Sequence, residues 1–307
     1  MIVRNSFVAG SLFLLLLIPK SCTCEEMNVS TGYLYKKSEA DLLAFPMNVA
    51  FLAAEFWLIC ATGCGMDVFA PELVKGGPPP IGGQMVNLDP LTKNVTLQYG
   101  LLAIGVLRAT KDVVEVFPRP FLNITKQVFA EIMDQSFEQT LEPPFDPYAS
   151  TLNYQIASYI ISLDGPNLYP EIIPVLQKTK FKELASGIEG VAFGVKNSIR
   201  SYLYECRDML VPPYNVCVAE FTNRISERAN KLGKEGIKSE GLVVPKSLGA
   251  DRRVSGNVIE ADKNSLSYRK SPEEVLRIQY GTGNQCVPGG FYPKGANGRI
   301  AKYYLNI

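Results

Sequence analysis

Residues 47–61 read MNVAFLAAEFWLICA, a stretch in which Asn48 and Glu55 are the only polar residues. It lies within a longer segment, residues 38 to about 65, that we predict to be one helix with Ser38 as its N-cap. Pro46 either kinks this helix or marks its true first turn. A helix that is apolar on all sides is a buried helix, so this stretch predicts the centre of a helical core.

Three more long apolar segments follow. One should run from Asp89, an N-cap followed by Pro90, to about residue 116, and its residues 100–107 carry no polar side chain. Asp146 and Pro147 should open a helix over residues 148–161, and the last long helix should cover residues 179–210. Long apolar helices separated by Pro- and Gly-rich loops predict an all-α helical bundle rather than a sheet fold.

Shorter elements complete the predicted organisation. We expect helices over residues 126–137 and 217–232, and a last short helix with Ser271 and Glu274 as its capping box. The glycines of the fourth long helix should let a neighbouring helix approach closely: Gly187, Gly190 and Gly194. These elements place the bundle domain at residues 38–233, and the charged, turn-rich residues 234–307 should form an irregular extension that wraps it.

The first segment is typical of a secretory signal peptide. Arg4 precedes an apolar run over residues 7–18, and small residues lead up to a predicted cleavage site after Cys24. Residues 1–24 are therefore the predicted signal peptide and residues 25–37 a lead into the bundle, with an uncleaved anchor as the alternative. We expect a secreted, extracellular protein with no membrane span after cleavage and with glycosylation sequons at Asn28, Asn94 and Asn123.

Cleavage would leave an odd number of cysteines in an oxidising compartment. Cys206 and Cys217 flank a short loop and are the predicted disulfide. Cys60 and Cys64 lie four residues apart on one predicted helix, a spacing compatible with a soft metal. Because no further ligand lies at a suitable spacing, we expect this pair to be buried, inert thiols.

The composition excludes several kinds of chemistry. The chain has 307 residues and no histidine, so Ser-His-Asp triads, Cys-His pairs and His-ligated zinc or haem are excluded. Its formal net charge is +1, which gives no basic footprint for nucleic acid. We therefore expect no nucleic-acid partner.

Seven ordered motifs carry a resemblance to a known family. The motifs span nearly all of the chain after the predicted signal peptide: Leu42-Leu43 leading into Ala54-Glu55-Phe56, residues 76–82, Phe117-Pro118-Arg119-Pro120, Pro144-Phe145-Asp146-Pro147-Tyr148, Ala219-Glu220-Phe221-Thr222, residues 241–246 and residues 289–295. With these motifs the chain resembles the plant desiccation-related proteins of the ferritin-like superfamily, which include ferritin-like catalases.

The resemblance implies a ferritin-like four-helix bundle with a role in desiccation or oxidative stress. It also implies two Fe or Mn ions, held by inward carboxylates and Glu-x-x-His pairs, with hydrogen peroxide as the substrate. The matching positions here carry small or apolar residues, so the chain argues against a standard site: Ala53, Ala103, Val106, Ala192 and Val195.

Two functions therefore remain open from the sequence. One is a catalase-like oxidoreductase, and the other is a non-catalytic protective or binding protein of the extracellular matrix. An apolar ligand pocket at the vacated bundle centre is a third possibility. Glu55 is a weak catalytic candidate. The alternative is that Glu55 has a structural role, hydrogen-bonded to a Lys or Tyr on a neighbouring helix. Weaker alternatives on or near the bundle are Glu189, Glu205, Tyr99 and Tyr202.

Overall fold

The structure is a computed structural model that describes residues 37–307. The predicted signal peptide, nearly all of the predicted lead and the sequon at Asn28 lie outside the described residues. The helices, in chain order, are α1 Glu39–Ala44, α2 Met47–Thr62, α3 Met66–Phe69, α4 Pro71–Val74, α5 Pro90–Lys111, α6 Lys126–Phe137, α7 Thr151–Ser162, α8 Tyr169–Ile172, α9 Thr179–Glu205, α10 Val218–Gly233, α11 Pro272–Tyr280 and α12 Arg299–Leu305.

Four of these helices form the predicted bundle. Helix α2 packs against α5 and α7, and α9 packs against the same two helices. Helices α2 and α5 approach closely at Gly100 of α5, where an added Cβ would lie 2.7 Å from Cγ of Leu58 on α2. The all-α, ferritin-like fold class is thus confirmed, with extra short helices around the bundle.

The first predicted helix is divided in two. Ser38 caps α1 in a capping box with Asp41, as Ser38 was expected to do. The chain then turns at Phe45 and Pro46, and Pro46 becomes the N-cap of α2. Of the two roles open to this proline, the start of a new helix is the one observed, because its ring cannot continue a helical hydrogen-bond ladder.

Helix α7 begins later than predicted. The Asp146 carboxylate accepts a hydrogen bond from the Tyr148 N–H (2.9 Å) and forms a local turn instead of a cap. Ser150 is the actual N-cap, and its hydroxyl oxygen accepts from the Asn153 N–H. Both residues are good caps, so sequence order alone favoured the wrong one.

Helices α5 and α9 end about five residues before their predicted ends, at Lys111 and Glu205. After α9 the chain forms a small antiparallel hairpin that was not predicted, β1 Leu210–Val211 and β2 Val216–Cys217. The expected close approach at the α9 glycines is also wrong. A Cβ added to Gly187, Gly190 or Gly194 would meet no atom of a neighbouring helix within 4 Å.

The C-terminal extension contributes to the core. Side chains of α11 and of the last segment lie in the same buried cluster as the bundle helices, among them Leu276, Tyr280, Phe291 and Ile300. The capping box at Ser271 and Glu274 is present as predicted. The extension therefore completes the core as well as covering it.

Helix α2 lies at the centre of this core. Within residues 37–307, Glu39–Thr62 is the one helical segment with the length and hydropathy to cross a membrane, and 83% of its most apolar window is buried inside the protein. Its apolar character is accounted for by burial among the other helices.

Candidate apolar centre of the bundle

A cavity of about 80 Å³ lies among α2, α5, α9 and the segment after α7. Its wall is almost entirely apolar. All five positions that match the family's metal ligands contribute to this wall: Ala53, Ala103, Val106, Ala192 and Val195. The structure therefore brings together, from three helices, the residues that the resemblance assigned to one site.

Helical geometry explains this convergence. Ala103 and Val106 are three residues apart on α5, as are Ala192 and Val195 on α9, so each pair shares one face of its helix. On α2, Ala53 and Trp57 are four residues apart and both line the cavity. The spacing that would hold two metal ligands on one face here holds two small or branched apolar side chains.

Three polar side chains at the wall, Trp57, Tyr99 and Ser162, are hydrogen-bonded to other protein groups. The Trp57 indole N–H donates to Ser158 Oγ (3.3 Å), and the Tyr99 hydroxyl is 2.7 Å from Ser198 Oγ. The Ser162 hydroxyl donates to the backbone carbonyl of Tyr159 at 3.2 Å. Burial raises the pKa of Tyr99, although the bond to Ser198 opposes that rise. These groups are neutral at physiological pH.

The wall residues do not fit a two-metal centre. Fe and Mn are bound by carboxylate, imidazole and other hard or borderline donors, whereas methyl and isopropyl groups offer no lone pair. No Asp, Glu, His or Cys lines the cavity, and residues 37–307 contain no group of three or more such residues placed to hold a metal ion. Any metal chemistry in this protein would need donors from elsewhere.

Glu55 lies away from the cavity. It follows Ala53 by two residues, which places it on a different face of α2. Its carboxylate forms an ion pair with Arg119, and both side chains are fully buried. It also accepts a hydrogen bond from the Met66 N–H (3.1 Å). Burial raises the pKa of Glu55, and the Arg119 guanidinium opposes that rise.

Arg119 connects three separate segments of the chain around Glu55. Besides Glu55, it donates to both carboxylate oxygens of Asp67 (2.8 and 3.0 Å) and to the Gly77 carbonyl (2.9 Å). A Cβ on Gly65 would lie 2.1 Å from the Glu55 carboxylate, so only glycine fits there. Glu55 is thus a structural ion-pair partner, and its partner is Arg119 rather than a Lys or Tyr.

A second buried charge cluster was not predicted. Lys196, the residue after Val195, forms a buried ion pair with Glu260 of the extension and donates to Asn167 Oδ1 (2.8 Å). One turn further, Arg200 donates to the backbone carbonyls of Glu240 (2.7 Å) and Val258 (2.8 Å). The only available sequence signal was two cations on the otherwise buried stripe of α9.

The remaining acidic and tyrosine candidates are not assembled into a site. Glu205 is exposed at the end of α9. Glu189 is partly exposed and does not line the cavity, and burial raises its pKa. Tyr99 does line the cavity, whereas Tyr202 packs partly buried against the main core.

The predicted disulfide is not formed. Cys206 and Cys217 are free thiols, as are Cys60 and Cys64. Cys217 pairs with Leu210 across the small hairpin, while Cys206 ends α9 before the hairpin begins, so the two cysteines are not opposite each other. Cys286 is disulfide-bonded. Cys60 is buried as expected, but Cys64 is exposed, because α2 ends at Thr62 and Cys64 lies beyond the helix.

The two sequons within the described residues differ in their surroundings. Asn94 is exposed on the first turns of α5. Asn123 is partly exposed in a loop, where its side-chain oxygen accepts from the Thr125 N–H (3.1 Å) and its own N–H donates to the Phe291 carbonyl (3.0 Å). Glycosylation of either remains a prediction.

Known proteins with similar sequences carry ferritin-like and desiccation-related names. The chain is 45% identical over 283 residues to the ferritin-like catalase Nec2 of Nesocodon mauritianus, covering 92% of this chain and 91% of the relative. It is 43% identical over 263 residues to the desiccation-related protein PCC13-62 of Craterostigma plantagineum, covering 86% and 84%. No family model and no solved structure matches. Identity at this level over most of both chains shows that this chain belongs to the ferritin-like, desiccation-related protein family.

Proposed function

We propose that this chain is a secreted protective protein of its family that works without a two-metal centre in its bundle. The observation that carries the proposal is the cavity wall, where alanine and valine occupy all five positions that match the family's ligands. The replacements occur on three helices, and each one is a small or branched apolar residue.

The consistency has a physical reason. A buried carboxylate with neither a metal nor a cation beside it is costly, so a bundle that lost its metals would also be expected to lose its inward acids. The acid that α2 does retain, Glu55, has a cation of its own in Arg119. Carboxylates are thus kept where they are paired and are missing at the bundle centre.

Secretion is part of the proposal. It is supported by the signal-peptide character of residues 1–24 and by the exposure of Asn94 in its sequon. A protective role in desiccation or oxidative stress is supported by the names of the two relatives. The protein would act as a stable matrix or surface-binding component outside the cell.

Peroxide decomposition is the second candidate function. Identity of 45% to a relative named as a ferritin-like catalase favours it. It would require metal donors other than the cavity wall, since the wall residues supply none. The two candidates therefore differ in metal content as well as in turnover.

The test is metal analysis and oxygen evolution on the same secreted, glycosylated sample. We expect substoichiometric Fe and Mn, no oxygen release from hydrogen peroxide, and an unchanged melting temperature after treatment with chelator. About two metal ions per chain together with peroxide turnover would overturn the proposal.

A variant with a restored donor set is the matched control. It combines Ala53→Glu, Ala103→Glu, Val106→His, Ala192→Glu and Val195→His, so it differs from the natural chain only at the cavity wall. If the wall lines the former metal site, this variant should gain bound Fe or Mn and should be destabilised by chelator. Metal binding by the natural chain at the same level as by this variant would contradict the proposal.

A further inference from the structure

The cavity at the bundle centre has a mouth on the protein surface. An apolar groove of about 590 Å³ runs between α5 and α9 and shares four wall residues with the cavity: Leu102, Val106, Ile188 and Val191. Leu102 and Val191 are 43% and 40% exposed, so they separate the cavity from solvent only partly. An apolar path therefore leads from the surface to the bundle centre.

Nothing in the described chain covers this mouth. Gly105 of α5 and Gly187 of α9 line the groove, and a Cβ added to either would meet no atom of residues 37–307 within 4 Å. The groove is therefore open at the two positions where these glycines lie.

Tyr169 carries the one hydroxyl on the cavity wall that has no hydrogen-bond partner among residues 37–307. This residue of α8 is 4% exposed and lines the cavity. Burial alone raises its pKa, and no hydrogen bond within residues 37–307 involves its hydroxyl. The hydroxyls of Tyr99 and Ser162, in contrast, are bonded to protein groups. The Tyr169 oxygen is not one of the fully enclosed unpaired atoms of the described chain, so a water-sized molecule can reach it and a ligand oxygen can pair with it.

We propose that the cavity binds a small, uncharged, mainly apolar molecule that carries at most one hydrogen-bonding group, which pairs with Tyr169. The inference rests on the proposed function, because a metal centre would occupy the same space. Charged ligands are excluded by the wall, which offers no counter-charge and would impose the full cost of desolvation.

The size of the cavity restricts the ligand further. An engineered apolar cavity of about 150 Å³ stays dry and binds benzene or xenon. The cavity here is about half that size, so xenon suits it better than a ring does, and a short flexible alcohol can extend from the cavity into the adjoining groove. We therefore choose xenon as the apolar probe and 1-butanol as the probe with one hydroxyl.

The experiment follows the methyl NMR signals of a protein labelled at its alanine methyl groups. With xenon or 1-butanol, we expect the signals of Ala53, Ala103 and Ala192 to shift in a saturable way. Ala103→Leu, which fills the cavity, should abolish these shifts at the two remaining alanines. Ala192→Leu provides a second filled variant from another helix, and Ala149→Leu at an exposed position away from the cavity should bind as the natural chain does.

Tyr169→Phe tests the hydrogen bond. Removing the hydroxyl should weaken 1-butanol binding about fivefold and leave xenon binding unchanged. Equal binding of 1-butanol by both proteins would remove Tyr169 from the site.

Metal analysis of the NMR sample separates the two proposals. A metal-free natural chain whose alanine signals do not shift with either probe, or shift equally in the two filled variants, would overturn the ligand site alone. Stoichiometric metal at the centre would overturn the proposed function together with it.

Discussion

Lys196 and Glu260 form an ion pair with almost no solvent exposure, and it joins the longest bundle helix to the C-terminal extension. Lys196 also donates to the Leu163 carbonyl (2.9 Å), and Glu260 accepts from the Glu240 N–H (2.7 Å), so both ends of the pair are fixed by further hydrogen bonds. The pair sits one residue from the cavity wall at Val195 and makes the extension part of the bundle.

Removing one partner of this pair should be strongly destabilising. Lys196→Met leaves Glu260 buried without its nearest cation, and we expect a loss of about 3–5 kcal/mol in the free energy of unfolding. Urea denaturation of the secreted protein measures it. The double variant Lys196→Met with Glu260→Leu should recover much of the loss, since no uncompensated charge remains. Equal stability of the single variant and the natural chain would contradict the burial of this pair.

Acid stability should depend on Glu260. Burial acts to raise the pKa of this carboxyl, but the surrounding cations, Lys196 first among them, lower it below its usual value of 4.5. Its contribution to stability is therefore fully present above pH 4.5 and is lost as the pH falls through the folded-state pKa. Unfolding free energies measured from pH 6 down to pH 3 should fall less steeply in Glu260→Gln than in the natural chain. If the unfolding free energies of the two proteins fell in parallel with pH, Glu260 would not contribute to acid stability.

Glu55→Gln should lower the stability of the folded protein. The substitution removes one of the two carboxylate partners of the buried Arg119 and leaves Asp67, so we expect a loss of about 1–3 kcal/mol by chemical denaturation. Asp67→Asn is the matched control, because the Asp67 side chain is 49% exposed and its removal should cost only about 0–1 kcal/mol. A catalytic Glu55 would give the reverse pattern, with stability retained and peroxide turnover lost.

Two glycine substitutions should change the stability of the protein in opposite directions. Gly65→Ala would place a Cβ 2.1 Å from the Glu55 carboxylate, and displacing this buried group should cost about 1–3 kcal/mol. Gly187→Ala lies in the middle of α9 with open space around it, so it should stabilise the protein by about 0.5–1 kcal/mol. Melting curves of the two variants give the comparison. A stabilised Gly65→Ala protein would show that Glu55 and Gly65 are not in contact.

The cysteines should differ sharply in reactivity. Burial raises the pKa of Cys60 well above its usual value, whereas Cys64 is exposed two residues beyond the end of α2. Alkylation of the native protein followed by mass spectrometry should label Cys64 early and Cys60 only after denaturation.

Cys217→Ser should not show the loss of about 2–5 kcal/mol in the free energy of unfolding that is expected when a native disulfide is removed.

The sequence predicts the bundle well because its signals are local. Asp89 with Pro90, and Ser271 with Glu274, set helix starts through atoms a few residues apart. Where two local signals compete, as Asp146 and Ser150 do, the sequence does not rank them. The five cavity positions were located because helical spacing, together with the family pattern, fixes which residues share a face.

Local sequence patterns could not identify the partners of side chains that are far apart in the chain. Arg119 was visible only as part of a short proline motif, and nothing nearby indicated Glu55, 64 residues away, as its partner. The same sequence separation divides Lys196 from Glu260. The cysteine pairing was wrong for a related reason, because closeness along the chain did not place the two thiols opposite each other.

The participation of the C-terminal segment in the core has a consequence for how the protein is made. The Tyr292 hydroxyl donates to the Asn48 carbonyl (3.0 Å), and the Asn297 N–H donates to the Asn48 side chain (2.8 Å), across 244 and 249 residues of chain. The central helix is therefore synthesised long before the residues that satisfy its first turn. Until the last segment emerges from the ribosome, the nascent chain must hold its most apolar helix incompletely covered, and premature termination would release a product prone to aggregation.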